Sequence, residues 1–437
     1  TPAVLSYLWF AVLLYLYWKS DDEPFWFALF FVLSDGFMGF FGAYQATIAL
    51  LPGMPPIEVA QFYIVMSVLK ARAIRQPYPV FFNKFLSIMG AYVLFLIGVG
   101  FVFGINPTPN DYFRIVKLTL PLLLFYSIPK LIRNDTDYLK IFSLIFPVAI
   151  LAFVTQLFDI ITGQSFAGFL GASDITYWDV MEGKIYRVFY NVNIILVALF
   201  GALFYTVRKI RAFNVIYLYI VILSALSVAY LSATRGWILG FGAVIALFVV
   251  VSGRHDIPRL SFFLVVGAGL LILGLSNPAV GNQINRSYER FMTVESVTEG
   301  DLTAGGTVTR ATDQSKEVMD KWKESPVFGW GFSEEYRRYI NEHVGNQNIL
   351  LHSGLIGAGL MLAFFVFFHF RVMDTGMRHR RRELFIFSIF FVGWFVIHST
   401  SGQHFAYYQM PKNIMAQSLF FSFGAMNYWN INKRKYV

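Results

Sequence analysis

Long apolar runs, separated by short polar or basic connections, recur from one end of the chain to the other. A helix needs about 20 mostly apolar residues to cross the hydrocarbon core of a bilayer. About thirteen runs approach this length. They lie near residues 3–18, 25–43, 57–70, 80–104, 112–133, 139–157, 192–208, 213–232, 235–252, 259–276, 348–371, 382–400 and 413–428. The pattern predicts an all-α polytopic membrane protein with about 12–13 transmembrane helices.

The segment from residue 35 to residue 56 interrupts this pattern. It opens with Asp35, Gly36 and Gly39 and closes with three prolines and a glycine at 52–56. Glycine and proline both weaken a helix interior. We expect this segment to re-enter the membrane or to lie along its interface.

The composition indicates that lipid is the main solvent of the protein surface. Hydrophobic residues make up 57% of the chain and charged residues 14%, whereas soluble domains carry about 25% charged residues. The chain has no cysteine, which excludes disulfides, a thiol nucleophile and cysteine-ligated metals. The net charge of +9 lies largely in short loops and favours contact with anionic membrane lipids rather than nucleic acid.

Basic residues collect in five places, which sets the expected orientation. These places are residues 70–75, 208–211, 254–259, 378–382 and 433–435. Counting spans puts all five on one side, and short basic loops stay in the cytoplasm. The same count sends the loop at 158–191, the turn at 232–235 and the loop at 277–347 to the opposite face. The first residues show no charged segment with a cleavage site, so no secretory signal is expected there.

The predicted spans divide the chain into three parts. Residues 1–276 form transmembrane helices with a first external loop near 158–191, residues 277–347 form a large external loop, and residues 348–437 form the C-terminal transmembrane helices. The large loop is expected to be folded, because residues 309–323 mix charged and apolar positions at helical spacing ahead of a proline. We therefore predict an amphipathic helix in a helical cap.

Two places in this arrangement have the residue types for chemistry. Arg235 lies where one apolar span ends and the next begins, a depth at which a cation must be paired or hydrated. It either reaches lipid phosphate or binds an anion in a cavity that opens to the external face. His343 lies near the end of the large loop, with His352 close by, and each is either a structural or a catalytic histidine.

Four features of the chain occur in a suggestive order. They are the small polar turn at 232–236, Arg310 about twelve residues before Trp322 and the segment 323–331, His343 spaced before Gly354 and Gly357, and one large external loop late in the chain. Together they resemble the bacterial O-antigen ligase and O-antigen polymerase superfamily of membrane glycosyltransferases. The family commonly places a polar residue after its loop histidine, whereas this chain has Val344.

The resemblance implies a GT-C-like glycosyltransferase in the bacterial inner (cytoplasmic) membrane, with an active site that faces the periplasm. Members take a glycan carried on undecaprenyl pyrophosphate as donor and transfer it to an acceptor sugar hydroxyl, on a glycan or on lipid A-core. Membrane lipids are the other expected partner. The external aspartates are scattered, so the transfer is expected to be independent of metals and cofactors, and the family implies inversion at the anomeric carbon.

The chemistry of this reaction assigns roles to residues on the external face. The departing diphosphate gains charge and needs fixed cations, and arginine binds phosphate oxygens bidentately. Arg235 and Arg310 are the first choices and Arg187 is a further substrate-binding candidate. The acceptor hydroxyl must lose a proton, and because histidine ordinarily titrates near neutrality, His343 is the predicted base.

Further residues are predicted to bind substrate. Tyr190 and Trp330 either stack on sugar rings or sit at the membrane interface for amphipathic reasons. His404 and Tyr407 lie in the last external loop and are predicted to line the acceptor groove.

Several functions remain open at this point. A polymerase joins lipid-linked repeats, a ligase moves the finished chain to lipid A-core, and a protein O-oligosaccharyltransferase shares the same histidine and arginine pattern. Outside the family, a transporter or flippase for a lipid-linked anionic glycan also needs many spans and a buried arginine. Transporters tend to contain paired halves, and no internal repeat is evident here. A structural membrane protein makes no prediction about His343 or Arg235.

Overall fold

The structure of the protein is a computed structural model. It describes residues 3–34, 47–48, 56–105, 108–164, 166, 192–251, 261, 265–267, 269, 272, 274–292, 315–341 and 343–433. Within these residues the chain is helical almost throughout, and one antiparallel pair of short strands joins Thr47–Ile48 (β1) to Ile57–Glu58 (β2). The predicted all-α class is confirmed. The segment predicted to be irregular, 35–56, lies mostly outside the described residues.

Sixteen α-helices and two 3-10 turns have defined bounds within the described residues. The helices are α1 (Ala3–Lys19), α2 (Glu23–Leu33), α3 (Val59–Arg72), α4 (Asn83–Phe103), α5 (Pro109–Thr119), α6 (Leu124–Leu131), α7 (Asp135–Thr162), α8 (Val192–Arg208), α9 (Val215–Leu231), α10 (Arg235–Val251), α11 (Pro278–Met292), α12 (Ser315–Lys323), α13 (Glu334–Tyr339), α14 (Gly345–Arg378), α15 (Phe385–Ser401) and α16 (Pro411–Lys433). The 3-10 turns are Leu120–Leu123 and Arg382–Leu384.

The local sequence sets the ends of these helices, as α7 illustrates. Asn134 precedes the first turn, and its side-chain oxygen accepts a hydrogen bond from the Asp137 amide at 2.9 Å. Gly163 follows the last turn with φ of 68°, a left-handed conformation that glycine adopts without strain. The apolar stretch between these two caps therefore folds as one continuous helix.

Five helical segments of the described chain are long and apolar enough to cross a membrane. They are Asn83–Phe103, Asn110–Leu131, Asp135–Thr162, Gly345–Arg378 and Arg382–Ser401. Four further apolar helices, α2, α8, α9 and α10, are shorter. A helix of 17 residues, the length of α8, covers about 26 Å, less than the roughly 30 Å of a hydrocarbon core. The protein is a polytopic membrane protein, and helix length and composition support five of the predicted 12–13 spans.

The helix predicted as one span at 112–133 is broken. α5 ends at Thr119, and the 3-10 turn Leu120–Leu123 precedes α6. Pro121 lies in this turn and has no amide hydrogen with which to continue an α-helix. The Leu118 carbonyl accepts a hydrogen bond from the Gln409 amide at 2.9 Å, so the connection before α16 packs against the break.

Ion pairs join helix ends on one side of the bundle. Lys70 near the end of α3 pairs with Glu23 at the start of α2, and Arg208 at the end of α8 pairs with Asp135 at the start of α7. α8 also contacts the 3-10 turn Arg382–Leu384. These ends carry basic residues from three of the predicted clusters, and we call this end of the bundle the basic side. The cluster predicted at 254–259 lies outside the described residues.

α10 and α15 pack against each other at close range. A methyl group added to Gly240 of α10 would lie 2.7 Å from the carbonyl oxygen of Gly393 in α15. Small residues allow helix backbones to approach in this way. The pairing runs antiparallel to the start of α10, where Gly236 meets Ser401 at the end of α15. We call this end of the bundle, away from the basic side, the far side.

A second hydrophobic core joins α12 and α13 to the start of α14. Its buried members are Val318, Trp330, Tyr336, Val344, Leu351, Ala406 and Tyr408. The helix predicted at 309–323 is present over its described part, α12, and ends before Pro326 as predicted. Gln347 Nε2 donates a hydrogen bond to Ser315 Oγ at 3.1 Å, which fixes the start of α12 beside the first turn of α14. We call α12, α13 and the residues between them the cap.

Candidate functional site

Arg235 is the first residue of α10 and follows a strained turn. Ala233 in this turn is fully buried and has φ of 52°, a left-handed conformation that costs a non-glycine residue about 1–2 kcal/mol. The Ser232 hydroxyl accepts the Thr234 amide at 3.2 Å, and the Thr234 carbonyl accepts the Trp237 amide at 2.9 Å. These bonds hold the turn in place and fix where α10 begins, so the half-buried Arg235 is carried by a rigid backbone.

The residue after Arg235 is packed tightly against α15. A methyl group on Gly236 would overlap the hydroxyl groups of Thr400 and Ser401. Only a residue without a side chain fits between the two helices at this point. The backbone that carries Arg235 is therefore seated on the last turn of α15.

The start of α14 is seated on that same turn of α15. Asn346 Nδ2 donates a hydrogen bond to Ser399 Oγ at 2.9 Å, and a side chain on Gly345 would overlap His398. Because α14 begins two residues after His343, the turn that carries His343 also lies on the far side. The structure thus brings Arg235 and the His343 turn to one turn of α15.

The two rival histidines have opposite surroundings. His343 is exposed, and its amide donates a hydrogen bond to Asn341 Oδ1 at 3.0 Å. His352 is 1% exposed and lies among the rings of Phe332, Tyr336 and Tyr408, with centroids 4.6–4.7 Å away. Both nitrogens of His352 are buried without a hydrogen-bond partner among the described residues. The accessible histidine is therefore His343.

A break in α14 lies close behind this turn. Gly354 has φ of 60° and ψ of −169°, so the helix is interrupted there and resumes after it. The interruption frees amides and carbonyls that a continuous helix would pair internally. Tyr92 and Tyr407 satisfy two carbonyls nearby, as their hydroxyls donate to Ser353 and Gly357 at 2.6 and 2.5 Å.

The segment 326–331 fills the break. The Leu355 amide donates to the Pro326 carbonyl at 2.9 Å, and the Trp330 amide donates to the Leu351 carbonyl at 2.8 Å. Further backbone bonds join Ile356 to Val327 and Gly331 to His352. The 323–331 segment and the glycines after His343, which are separate patterns in the sequence, thus form one interlocked unit.

Trp330 is part of this unit and is enclosed. Its Nε1 donates to the Lys321 carbonyl at 3.0 Å, the Lys321 ammonium lies 4.1 Å from its ring centroid, and Phe103 packs against it at 4.7 Å. Its ring is engaged by protein atoms, and these contacts favour a structural role over the predicted stacking on sugars.

His404 and Tyr407 lie in the connection between α15 and α16, and both are buried. The Trp394 indole donates to His404 Nδ1 at 3.3 Å, and the His404 carbonyl accepts Gln417 Nε2 at 2.6 Å. Burial, followed by the charge of Lys412, lowers the pKa of His404 to about 3, so the imidazole is neutral. Their role in an acceptor groove stays a prediction.

Three predicted residues lie outside the described part of the chain. They are Arg187, Tyr190 and Arg310. Their predicted roles stay predictions. Within the described ranges, no three His, Asp or Glu side chains are grouped closely enough to hold a metal ion.

Sequence reasoning missed Asn341, Asn348 and Ser399. Asn348 is fully buried and bonds to Asn341 and to Gln403, while Ser399 anchors Asn346. The one available signal was the run of polar residues at 346–348 ahead of an apolar helix. A run of that kind also suits an ordinary helix start, so it did not single out any residue.

Comparison with known proteins identifies the central part of the chain. Residues 218–360 match the family model described as O-antigen ligase. The matched residues include Arg235, Arg310, Trp330 and His343, and the family indicates glycosyltransferase activity of the O-antigen ligase type. No curated protein matches the chain. Residues 218–360 of this membrane protein are therefore similar to the O-antigen ligase family, which supports the predicted O-antigen ligase and polymerase superfamily.

Proposed function

We propose that this protein transfers a glycan from undecaprenyl pyrophosphate to an acceptor sugar hydroxyl at the periplasmic face of the bacterial inner membrane. The proposed enzyme has a GT-C-like architecture, inverts the anomeric carbon and needs neither a metal nor another cofactor. The observation that carries the proposal is the family match across 218–360, a range in which Gly236, next to Arg235, and Asn346, near His343, both contact the last turn of α15.

In the proposed reaction, a nitrogen of the His343 imidazole takes the proton of the acceptor hydroxyl. The hydroxyl oxygen bonds to the anomeric carbon of the donor while the bond from that carbon to the diphosphate oxygen breaks. The electron pair leaves with undecaprenyl pyrophosphate, and the Arg235 guanidinium stabilises the added charge. The exposure of His343 suits this role because the base must reach a substrate, whereas the buried His352 has no such access.

Arg310 and Arg187 are proposed as further cations for the diphosphate, and Tyr190, His404 and Tyr407 as residues that line the glycan path. The rigid turn at Ala233 supports the assignment of Arg235, because a cation that stabilises a transition state acts best when it needs no reorganisation. Strained backbone of this kind concentrates at functional sites.

The acceptor is either a second lipid-linked repeat, which would make the protein a polymerase, or lipid A-core, which would make it a ligase. The alternative within the superfamily is a protein O-oligosaccharyltransferase, for which the acceptor is a protein. A transporter or flippase for a lipid-linked anionic glycan is the alternative outside the family.

The proposal is tested with purified protein, a synthetic undecaprenyl-pyrophosphate glycan and each acceptor, with glycan mobility on gels as the readout. We expect transfer with and without a chelator, and a fall in its rate of about 10²- to 10⁴-fold in His343→Ala. His379→Ala is the matched control, because His379 follows α14 on the basic side and should retain activity. Full transfer by His343→Ala, or movement of the donor across liposomes without bond formation, would overturn the proposal.

A further inference from the structure

The turn that carries His343 is held by a buried amide, and this arrangement assigns Asn348 a role. We propose that Asn348 is a positioning residue that sets the place of the His343 imidazole relative to Arg235. The inference rests on the proposed function, since it takes His343 to be the base. Asn348 itself touches neither substrate nor the reacting atoms.

The side-chain amide of Asn348 hydrogen-bonds to both the backbone carbonyl and the backbone amide of Asn341; we call this pair of bonds the grip. Its Nδ2 donates to the Asn341 carbonyl at 2.5 Å, and its Oδ1 accepts the Asn341 amide at 3.1 Å. Such a pair of bonds fixes a peptide segment in direction as well as in distance, as a ladder does in a sheet. The side chain is 0% exposed, so water does not compete for these bonds.

Asn341, which Asn348 holds, is in turn hydrogen-bonded to His343 and its neighbour. The Asn341 side-chain oxygen accepts a hydrogen bond from the His343 amide at 3.0 Å. The Asn341 backbone carbonyl accepts one from the Val344 amide at 3.3 Å. The Val344 carbonyl in turn accepts the Asn348 amide at 3.0 Å. The segment from 341 to 348 is therefore a closed ring of hydrogen bonds with Asn348 at its base and His343 at its exposed tip.

A second loop is tied to the same side chain. The remaining hydrogen of Asn348 Nδ2 is directed to Gln403 Oε1 at 3.2 Å, and Gln403 Nε2 donates to the Tyr408 hydroxyl at 3.3 Å. Every polar atom of the Asn348 amide is thus used, with two donors and one acceptor engaged. The conformation of the 402–410 connection and the placement of His343 are linked through this one residue.

The near-isosteric substitution Asn348→Asp disrupts the arrangement with the least change of shape. It keeps the shape but replaces two N–H donors by an oxygen that faces the Asn341 carbonyl and Gln403 Oε1. Asn348→Ala removes the grip without adding a charge. Gln403→Ala removes the bonds to Asn348 and Tyr408 but leaves both bonds between Asn348 and Asn341, so it should give the smallest effect.

The experiment measures glycan transfer by Asn348→Ala, His343→Ala and the double variant. Misplacing a catalytic group by about 1 Å can cost 100-fold, so we expect Asn348→Ala to lower kcat by about 10- to 100-fold with the acceptor KM nearly unchanged. In the His343→Ala background, Asn348→Ala should cause no further loss, because a positioning residue has nothing left to position.

Asn427→Ala is the matched control, a buried asparagine of α16 whose Nδ2 bonds to the Phe423 carbonyl at 3.0 Å. An equal loss of kcat in the control, or independent and multiplicative losses in the double variant, would overturn the role of Asn348. If Asn348→Ala fails to fold, Gln403→Ala takes its place. Its kcat should fall in the parent protein and should not fall further in the His343→Ala background. Full activity in His343→Ala would instead contradict the proposed function itself, so the two failures are distinguishable.

Discussion

The backbone of Gly354 lies against the carbonyl oxygen of Val327 so closely that a methyl group on Gly354 would overlap that oxygen. This contact holds the break in α14 against the segment 326–331. The segment 326–331 also bonds to the second turn of α14. Asn348 lies in the first turn of the same helix. Gly354 therefore supports the packing of the far side, although it is not one of the reacting groups.

Gly354→Ala should destabilise the protein and reduce transfer. Alanine would have to adopt φ of 60° and displace the Val327 carbonyl, and strain of this kind costs about 1–3 kcal/mol per residue. Thermal unfolding in detergent measures the loss. Gly359→Ala is the control, because nothing lies within 4 Å of a methyl group there and alanine favours the helix. Equal unfolding midpoints for the two variants would contradict the explanation.

Gly236→Ala should lower kcat/KM for transfer. The added methyl group overlaps the Ser401 hydroxyl and pushes the start of α10, with Arg235, away from α15. Gly242→Ala lies in the same helix with nothing within 4 Å and should remain active. The double variant Gly236→Ala, Ser401→Gly removes part of the obstacle and should recover activity in part. No recovery would show that displacement by Ser401 is not the cause.

Arg235→Lys should reduce kcat by about 100-fold, the cost of losing one preorganised donor to developing charge. Lysine keeps the positive charge but has no planar fork for two phosphate oxygens. Arg208→Lys on the basic side, where Arg208 pairs with Asp135, is the matched control. Transfer rates with saturating donor measure the effect, and an active Arg235→Lys enzyme would argue against a diphosphate role.

The cap should lose stability in acid. The hydrogen bond from Lys321 lowers the pKa of Glu335, whose Oε2 lies 2.7 Å from Lys321 Nζ. A carboxyl with a lowered folded pKa stabilises the fold fully above its unfolded value, about 4.3, and loses that contribution as the pH falls through the folded value. The unfolding midpoint of the parent should therefore exceed that of Glu335→Gln near neutrality and converge with it below about pH 4.

The periodicity of the chain predicted most of the helices because burial in lipid demands long apolar runs. It did not predict the break at Pro121, since the surrounding residues are as apolar as those of a continuous span. Within the described residues, helix length and composition support five of the predicted spans, because several other apolar runs form helices of 10–17 residues. α12 was predicted from its amphipathic spacing and its proline stop, both of which are local signals.

The site was predictable in its chemistry but only partly in its geometry. Arg235 and His343 were chosen from residue type, position and family resemblance, and the structure brings their helix starts together on α15. The sequence left His343 and His352 as rivals, because exposure depends on the distant partners Phe332, Tyr336 and Tyr408. Asn348 also bonds to Gln403, which lies 55 residues away in the chain and on another connection. Long-range pairing of this kind has no signal in one sequence.

The ion pair between Lys70 and Glu23 constrains how the protein can move. Both side chains are largely withdrawn from solvent, and Lys70 also donates to the Ser20 carbonyl at 2.8 Å. Separating a buried pair leaves an uncompensated charge and costs several kcal/mol. Rocking α3 against α1 and α2 would demand that cost in every reaction cycle. Substrates are therefore expected to enter and leave laterally from the membrane or from the far side, while the helices at the basic side stay packed together.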